Sequence, residues 1–161
     1  MTGIDLSGLD ALDGRFKKAL QERPTLRRHM HEEVSAAIQE ELRQSIGRSG
    51  IIERDRKLRG WQARYVGSRG GYAAVRPIGQ ADGGGTGSNS AGAITNYLES
   101  GHKVRPSKAS ATAGRKLRKS RARQQHVSGY GFYAETRNHA QRIALDAANS
   151  YADAFAERLG D

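Results

Sequence analysis

Two histidines, His29 and His31, stand on either side of Met30, with Glu32 and Glu33 directly after them. His29 and Glu33 have the i, i+4 spacing that puts two metal ligands on one helical face, but no third ligand stands nearby. Two polar residues beside an apolar methionine explain the pattern without a metal, and no cofactor is expected. The stretch GGGTGSNS (83–90) has the glycines of a phosphate loop. It lacks the lysine that would reach a bound phosphate, so it reads as a loop only. The acids, such as Glu22, Glu40 and Glu157, have bases three or four residues away, the pattern of a solvated helix face. No serine lies in G-x-S-x-G, and no histidine context suggests a triad. The chain is read as a non-enzyme.

What stands out is charge. The 161 residues carry 27 Lys and Arg against 17 Asp and Glu, a formal net charge of +10. Residues 101–128 hold nine of those cations and no acid. Within them Arg115, Lys116, Arg118, Lys119, Arg121 and Arg123 form a dense run, the candidate contacts to DNA or to a neighbouring subunit. Cations at this density give steep salt dependence on a duplex. No aromatic residue interleaves with them, against a stacking platform for single strands. No recognition-helix or zinc-finger pattern accompanies them. A DNA-facing arm and a subunit-bridging arm are both open.

The elements that position these residues follow from periodicity. Leu9, Leu12, Phe16 and Leu20 predict a helix over about 8–22. Pro24 interrupts, at the first turn of a second helix that ends near Gly47. In that second helix Leu26, Met30, Val34, Ile38, Leu42 and Ile46 recur every four residues. A step of four overshoots the helical turn by ~40°, so the stripe winds around the rod. One flat sheet cannot cover it. Leu26, Met30, Ile38, Leu42 and Ile46 are therefore candidates for an assembly interface; a curved helix wrapped by its own loops is the alternative.

WQARYVGS (61–68) and GYAAVRPIGQ (71–80) predict a β-hairpin turning at Arg69-Gly70, with Pro77 at an edge or strand end. Residues 81–92 have the composition of a flexible loop. Ala93–Ser100 reads as a short helix, 101–128 as an extended basic arm, and GYGFY (129–133) as a strand or bend. A long helix from about 134 to 159 presents Ala140, Ala144, Ala148, Tyr151, Phe155 and Leu159 on one face, with Ile143 and Ala147 beside them. The fold class is α+β in a single domain, 1–161: two N-terminal helices, a small antiparallel sheet with a hairpin, a long C-terminal helix, a loop and a basic arm.

With 36% apolar residues and 20 glycines, the core is small for the length. There are no cysteines, which excludes disulfides and thiolate zinc sites. The first residues do not read as a signal peptide, and no run approaches the ~18 apolar residues of a membrane helix. A protein of the cytosol, or of something assembled there, is expected.

The layout resembles a family of small tail-completion or head–tail joining proteins of long-tailed bacteriophages, often described only as tail components. Gly8, Leu9 and Leu12 match its G-L-x-x-L start, and Leu42, Ser45 and Ile46 its L-x-x-S-I helix end. Tyr97, Glu99 and Gly101 match its Y-x-x-x-E-x-G segment with a shortened tyrosine–glutamate spacing. The chain departs from it at 81–92 and in the basic arm. The resemblance implies a structural protein of the virion neck, assembled in the host cytoplasm. It implies a ring, commonly hexameric, around the DNA channel. Its partners would be itself, connector or stopper proteins, tail terminator or tail tube proteins, and packaged double-stranded DNA, with no membrane. The alternative, from charge alone, is a nucleic-acid-binding protein acting through 101–128.

Overall fold

The longest element runs straight through a proline. In the computed structural model, which describes residues 7–52, 54–103 and 126–160, helix α1 extends unbroken over Ser7–Arg48, 42 residues with Pro24 inside. That is a rod of ~63 Å. The predicted pair of N-terminal helices is thus one helix. A proline within a helix loses the hydrogen bond of its missing N–H and costs ~3 kcal/mol. Neighbouring contacts offset that cost: Ala19 is fully buried, and Glu22 is joined to Arg158 of the C-terminal helix. Ion pairs four residues apart, Asp13 with Lys17 and Arg28 with Glu32, add small local support.

A one-turn 3-10 helix (Arg54–Arg56) and the short helix α2 (Lys57–Gly60) lead into strand β1, Gln62–Val66. Strand β2, Ala73–Pro77, pairs with it antiparallel, Gln62 opposite Pro77 and Val66 opposite Ala73. This is the predicted hairpin, and Pro77 ends it. Its tip lies on α1. Gly70 has a φ of 60°, and a Cβ there would come 3.0 Å from the Arg28 Cα. The Arg69 carbonyl accepts from Arg27 at 2.9 Å. Glycine is needed both for the left-handed backbone and for this approach.

Residues 81–92, expected as a glycine-rich loop, contain local structure. Two 3-10 turns, Gln80–Asp82 and Gly87–Asn89, fold the segment back onto the end of the hairpin. The Gly84 N–H donates to the Gly79 carbonyl at 2.8 Å, and its own carbonyl accepts from Ala91 at 2.6 Å. A Cβ on Gly84 would collide with the Ile78 and Gly79 carbonyls, so the glycine is a packing requirement. Helix α3, Ala91–Ser100, follows, its first turn capped by the Ser90 hydroxyl accepting from Ala93 at 3.1 Å.

Two three-residue strands, β3 (Gly101–Lys103) and β4 (His126–Ser128), pair antiparallel, Gly101 opposite Ser128 and Lys103 opposite His126. Helix α4, Phe132–Gly160, then runs back along α1 in the opposite direction. Contacts mark the path: Ser45 with Glu135, Glu41 with His139, Glu22 with Arg158, and Arg15 with the Gly160 carbonyl.

The class is α+β, but the core sits at one end. Leu42, Ile46, Leu58 and Phe132 are buried together, with Ile51, Trp61, Val75, Leu98 and Tyr133 packed around them. The α1 face from Arg27 to Leu42 is covered by the hairpin as well as by α4. Beyond the hairpin tip, only α4 accompanies α1 among the described residues.

Candidate assembly and polyanion-binding surfaces

The short helix that opens onto the basic tract owes its one acid to helix capping. Both oxygens of Glu99 point at the first turn of α4, accepting from the N–H groups of Tyr133 at 2.8 Å and Ala134 at 3.1 Å. Those are donors with no partner inside their own helix, at its positive end. The Leu98 and Glu99 carbonyls accept from Tyr130 and Gly131. The end of α3 and the start of α4 are therefore one hydrogen-bonded joint.

The basic segment leaves from that joint. Gly101, with φ 77°, ends α3, and a Cβ on it would run into the Val127 carbonyl. A Cβ on Gly129 would run into the Glu99 carbonyl. Close backbone approach is what both glycines allow. The β3–β4 ladder thus holds Lys103 and His126 side by side, with residues 104–125 between them. Rings of Tyr97 and His102 lie 5.4 Å apart on the same surface. Arg115, Lys116, Arg118, Lys119, Arg121 and Arg123 lie outside the described residues. Lys103 and His126, at the foot of the segment, are exposed.

Behind the joint is a polar network. The Gln62 side chain is buried and fully used: Nε2 donates to the Leu58 carbonyl at 3.0 Å, and Oε1 accepts from the Tyr133 hydroxyl at 2.5 Å. Its carbonyl accepts from Gln39 of α1 at 2.5 Å. Burial, and secondarily the charge of Glu99, pushes the Tyr133 phenol well above its ordinary range. A polar side chain can lie in this core because the Leu58 carbonyl, the Thr95 hydroxyl and the Tyr133 hydroxyl satisfy it.

A second network ties α1 to α4. The Ser45 hydroxyl lies 2.5 Å from Glu135 and 3.1 Å from the Phe132 carbonyl. Arg48 bridges Glu41 and Glu135, at 2.8 Å to each, and His139 meets Glu41 at 2.7 Å. Hydrogen bonds from His139 and then Arg48 hold the Glu41 carboxyl below the usual range. Bonds from Ser45 and then Arg48 do the same for Glu135. Ser45, noted in the sequence only as part of a motif, is the fully buried centre of this contact.

The candidate interface residues separate into two groups. Leu42 and Ile46 belong to the chain's own core and have no surface to offer a partner. The correction has a simple cause: α2, the hairpin and the start of α4 all converge on that end of α1. Leu26 and Met30 are half-buried and line a cleft with His29, Glu33, Ala147 and Tyr151 between α1 and α4; Ile38 is half-buried too. His29 and Glu33 face each other at 3.4 Å, an ordinary solvated pair. On α4 the buried line passes through Phe132, Thr136 and half-buried Ile143, Ala147 and Tyr151. Ala144 and Ala148, placed on that face by the four-residue count, are exposed.

Two features were not drawn from the sequence. First, the N-terminal stripe Leu9, Leu12, Phe16 and Leu20 is exposed, Leu9 to 62% and Leu20 to 55%. Second, Arg43, Arg56 and Arg59 line one concavity with Glu40 and Asp55, beside the connection that carries Ile52, 98% exposed. Asp55 and Arg56 hold left-handed backbone there, φ 56° and 52°. The apolar period of residues 9–20 was a legible signal, but not that it would lie beyond the reach of the core. Among the described residues no group of three metal-binding side chains occurs, and no helix is long and apolar enough to cross a membrane. The chain matches no family model, no curated protein and no solved structure.

Proposed function

We propose that this chain is a structural protein of the bacteriophage neck, acting in tail completion or head–tail joining rather than in catalysis. On this reading copies form a ring, commonly of six, between the head connector and the tail tube around the DNA channel. One observation carries it. The core occupies one end of a ~63 Å helix, and the other end, paired only with α4 among the described residues, exposes four large apolar side chains in register. A monomer gains nothing from that stripe, whereas a subunit can bury it against a neighbour. The motif matches at Gly8, Leu9, Leu12, Leu42, Ser45 and Ile46 point the same way. Localisation in the virion neck is part of this proposal. The test is made on particles. Mass spectrometry and immunolabelling should find the chain at the head–tail junction, and loss of its gene should leave filled heads and free tails that do not join. Intact infectious particles lacking the chain would overturn it.

A second reading, a nucleic-acid-binding protein, is favoured by the exposed, paired Lys103 and His126, which stand at the two ends of a sequence with eight cations and no acid. It requires binding of free duplex with a steep loss of affinity between low and moderate salt. A gel-shift titration at two salt concentrations separates the readings, since a ring subunit need not bind free DNA.

A further inference from the structure

The two unexplained surfaces have opposite chemistry. Leu9, Phe16 and Leu20 lie within ~40° of one another around α1, at ~100° per residue, with Leu12 at their edge. Residues 7–14 (SGLDALDG), the first two turns, carry two acids and no cation, and Arg15, Lys17 and Lys18 follow them. Asp10 makes no ion pair among the described residues; Asp13 pairs only with Lys17. The other surface is basic. RDRKLR (54–59) holds four cations to one acid, and Arg43 of α1 borders the same concavity. Arg43 and Arg56 make no ion pair among the described residues, and Ile52 projects from the same connection into solvent.

From this we infer that the two surfaces are the halves of one contact between copies of this chain. The acidic, apolar start of α1 in one copy docks on the Arg43–Arg56 surface, beside Ile52, of the next. Both halves combine exposed apolar side chains with a charge that makes no ion pair among the described residues, Asp10 on the first and Arg43 and Arg56 on the second, and these signs are opposite. They cannot meet within one copy. About 34 residues of continuous helix separate Leu9 from Arg43, a distance of ~51 Å. A contact between two different faces is head-to-tail, so each copy keeps one free half on either side, and a chain of copies grows until it closes. The inference rests on the neck reading and specifies which faces of that subunit meet.

Sedimentation velocity on the purified full chain over a range of concentrations tests it. Wild type should associate beyond a dimer. A variant of the first face, Leu12→Glu with Phe16→Glu, and a variant of the second, Arg43→Glu with Arg56→Glu, should each be monomeric at concentrations at least tenfold above those at which wild type assembles. Mixed in equal amounts, they should stop at a one-to-one dimer, because only one intact pair of faces remains. A chain carrying Asp10→Lys, Asp13→Lys, Arg43→Glu and Arg56→Glu together should associate again. Circular dichroism melting close to wild type shows that each variant is folded. A wild type that stays monomeric, a variant that associates as wild type does, or a mixture that gives no dimer overturns the contact. The neck reading is judged separately on particles: a chain found in necks whose assembly ignores both faces fails here and stands there.

Discussion

Glu99 of α3 accepts hydrogen bonds from the backbone N–H groups of Tyr133 and Ala134, so the cap of the longest C-terminal element is supplied from 34 residues upstream. Replacing Glu99 with Ala should cost ~1–2 kcal/mol, the range for losing a helix cap. A denaturant titration reads this as a lower midpoint with unchanged slope. Glu99→Asp, too short to reach both donors, should fall between. No change in either variant would show that water caps the helix as well.

Gly129→Ala and Gly101→Ala should each open the same joint, since the added methyl group meets a backbone carbonyl. At Gly101 the left-handed backbone adds strain. Hydrogen exchange should rise first at the β3–β4 pair and the first turn of α4, ahead of α1. Exchange at wild-type rates would mean that the two segments of the joint can part without loss.

Acid should loosen the α1–α4 contact. Glu41 and Glu135 are both held below the ordinary carboxylate range, by His139 and Ser45 respectively and then by Arg48. As pH falls, the unfolded chain takes up protons first, so stability is complete above about pH 4.5 and declines below it as the folded carboxyls protonate. Denaturant midpoints should be flat from neutral pH to that point and fall below it. Glu135→Gln should lessen the fall. Tyr133 predicts the opposite limb: its phenol is raised by burial, so the unfolded chain ionises first above about pH 10 and stability drops there. Tyr133→Phe should remove that drop.

Pro24→Ala should stabilise the chain by up to ~3 kcal/mol, because the alanine N–H restores a bond inside a helix that is already continuous. A thermal melt rising by several degrees is the expected readout. An unchanged or lower midpoint would mean that the proline's rigidity is used by α1.

Leu42→Ala, at the buried end of α1, should cost ~2–5 kcal/mol, whereas Leu20→Ala should stay within ~0.5 kcal/mol under conditions where the chain is monomeric. Equal costs would contradict a core confined to one end.

The sequence carried much of this arrangement because local signals and tertiary packing agree in most places. The hairpin, the stop near Gly47, the helix beginning near Ala93 and the C-terminal helix lie within two or three residues of where periodicity and glycine put them. The misreadings occur where a distant partner overrides a local preference. Pro24 reads as a break until the burial of Ala19 and the pairing of Glu22 with Arg158 of α4 are counted. GGGTGSNS reads as a loop, but its composition does not show the backbone bonds to Gly79 and Ala91. The capping role of Glu99 is not legible locally because its donors begin 34 residues away. Leu42 and Leu20 belong to similar apolar stripes, and only topology decides that one is core and the other surface.

The side-by-side strands at Gly101–Lys103 and His126–Ser128 have a practical corollary. Their ends stand only ~5 Å apart, the spacing of neighbouring strands. A two-residue Asn-Gly turn can bridge them in place of residues 104–125. That excision lowers the formal charge from +10 to +2. The protein therefore contains its own cassette: a nearly neutral scaffold into which polycations, epitopes or fluorophores can be swapped at a single seam.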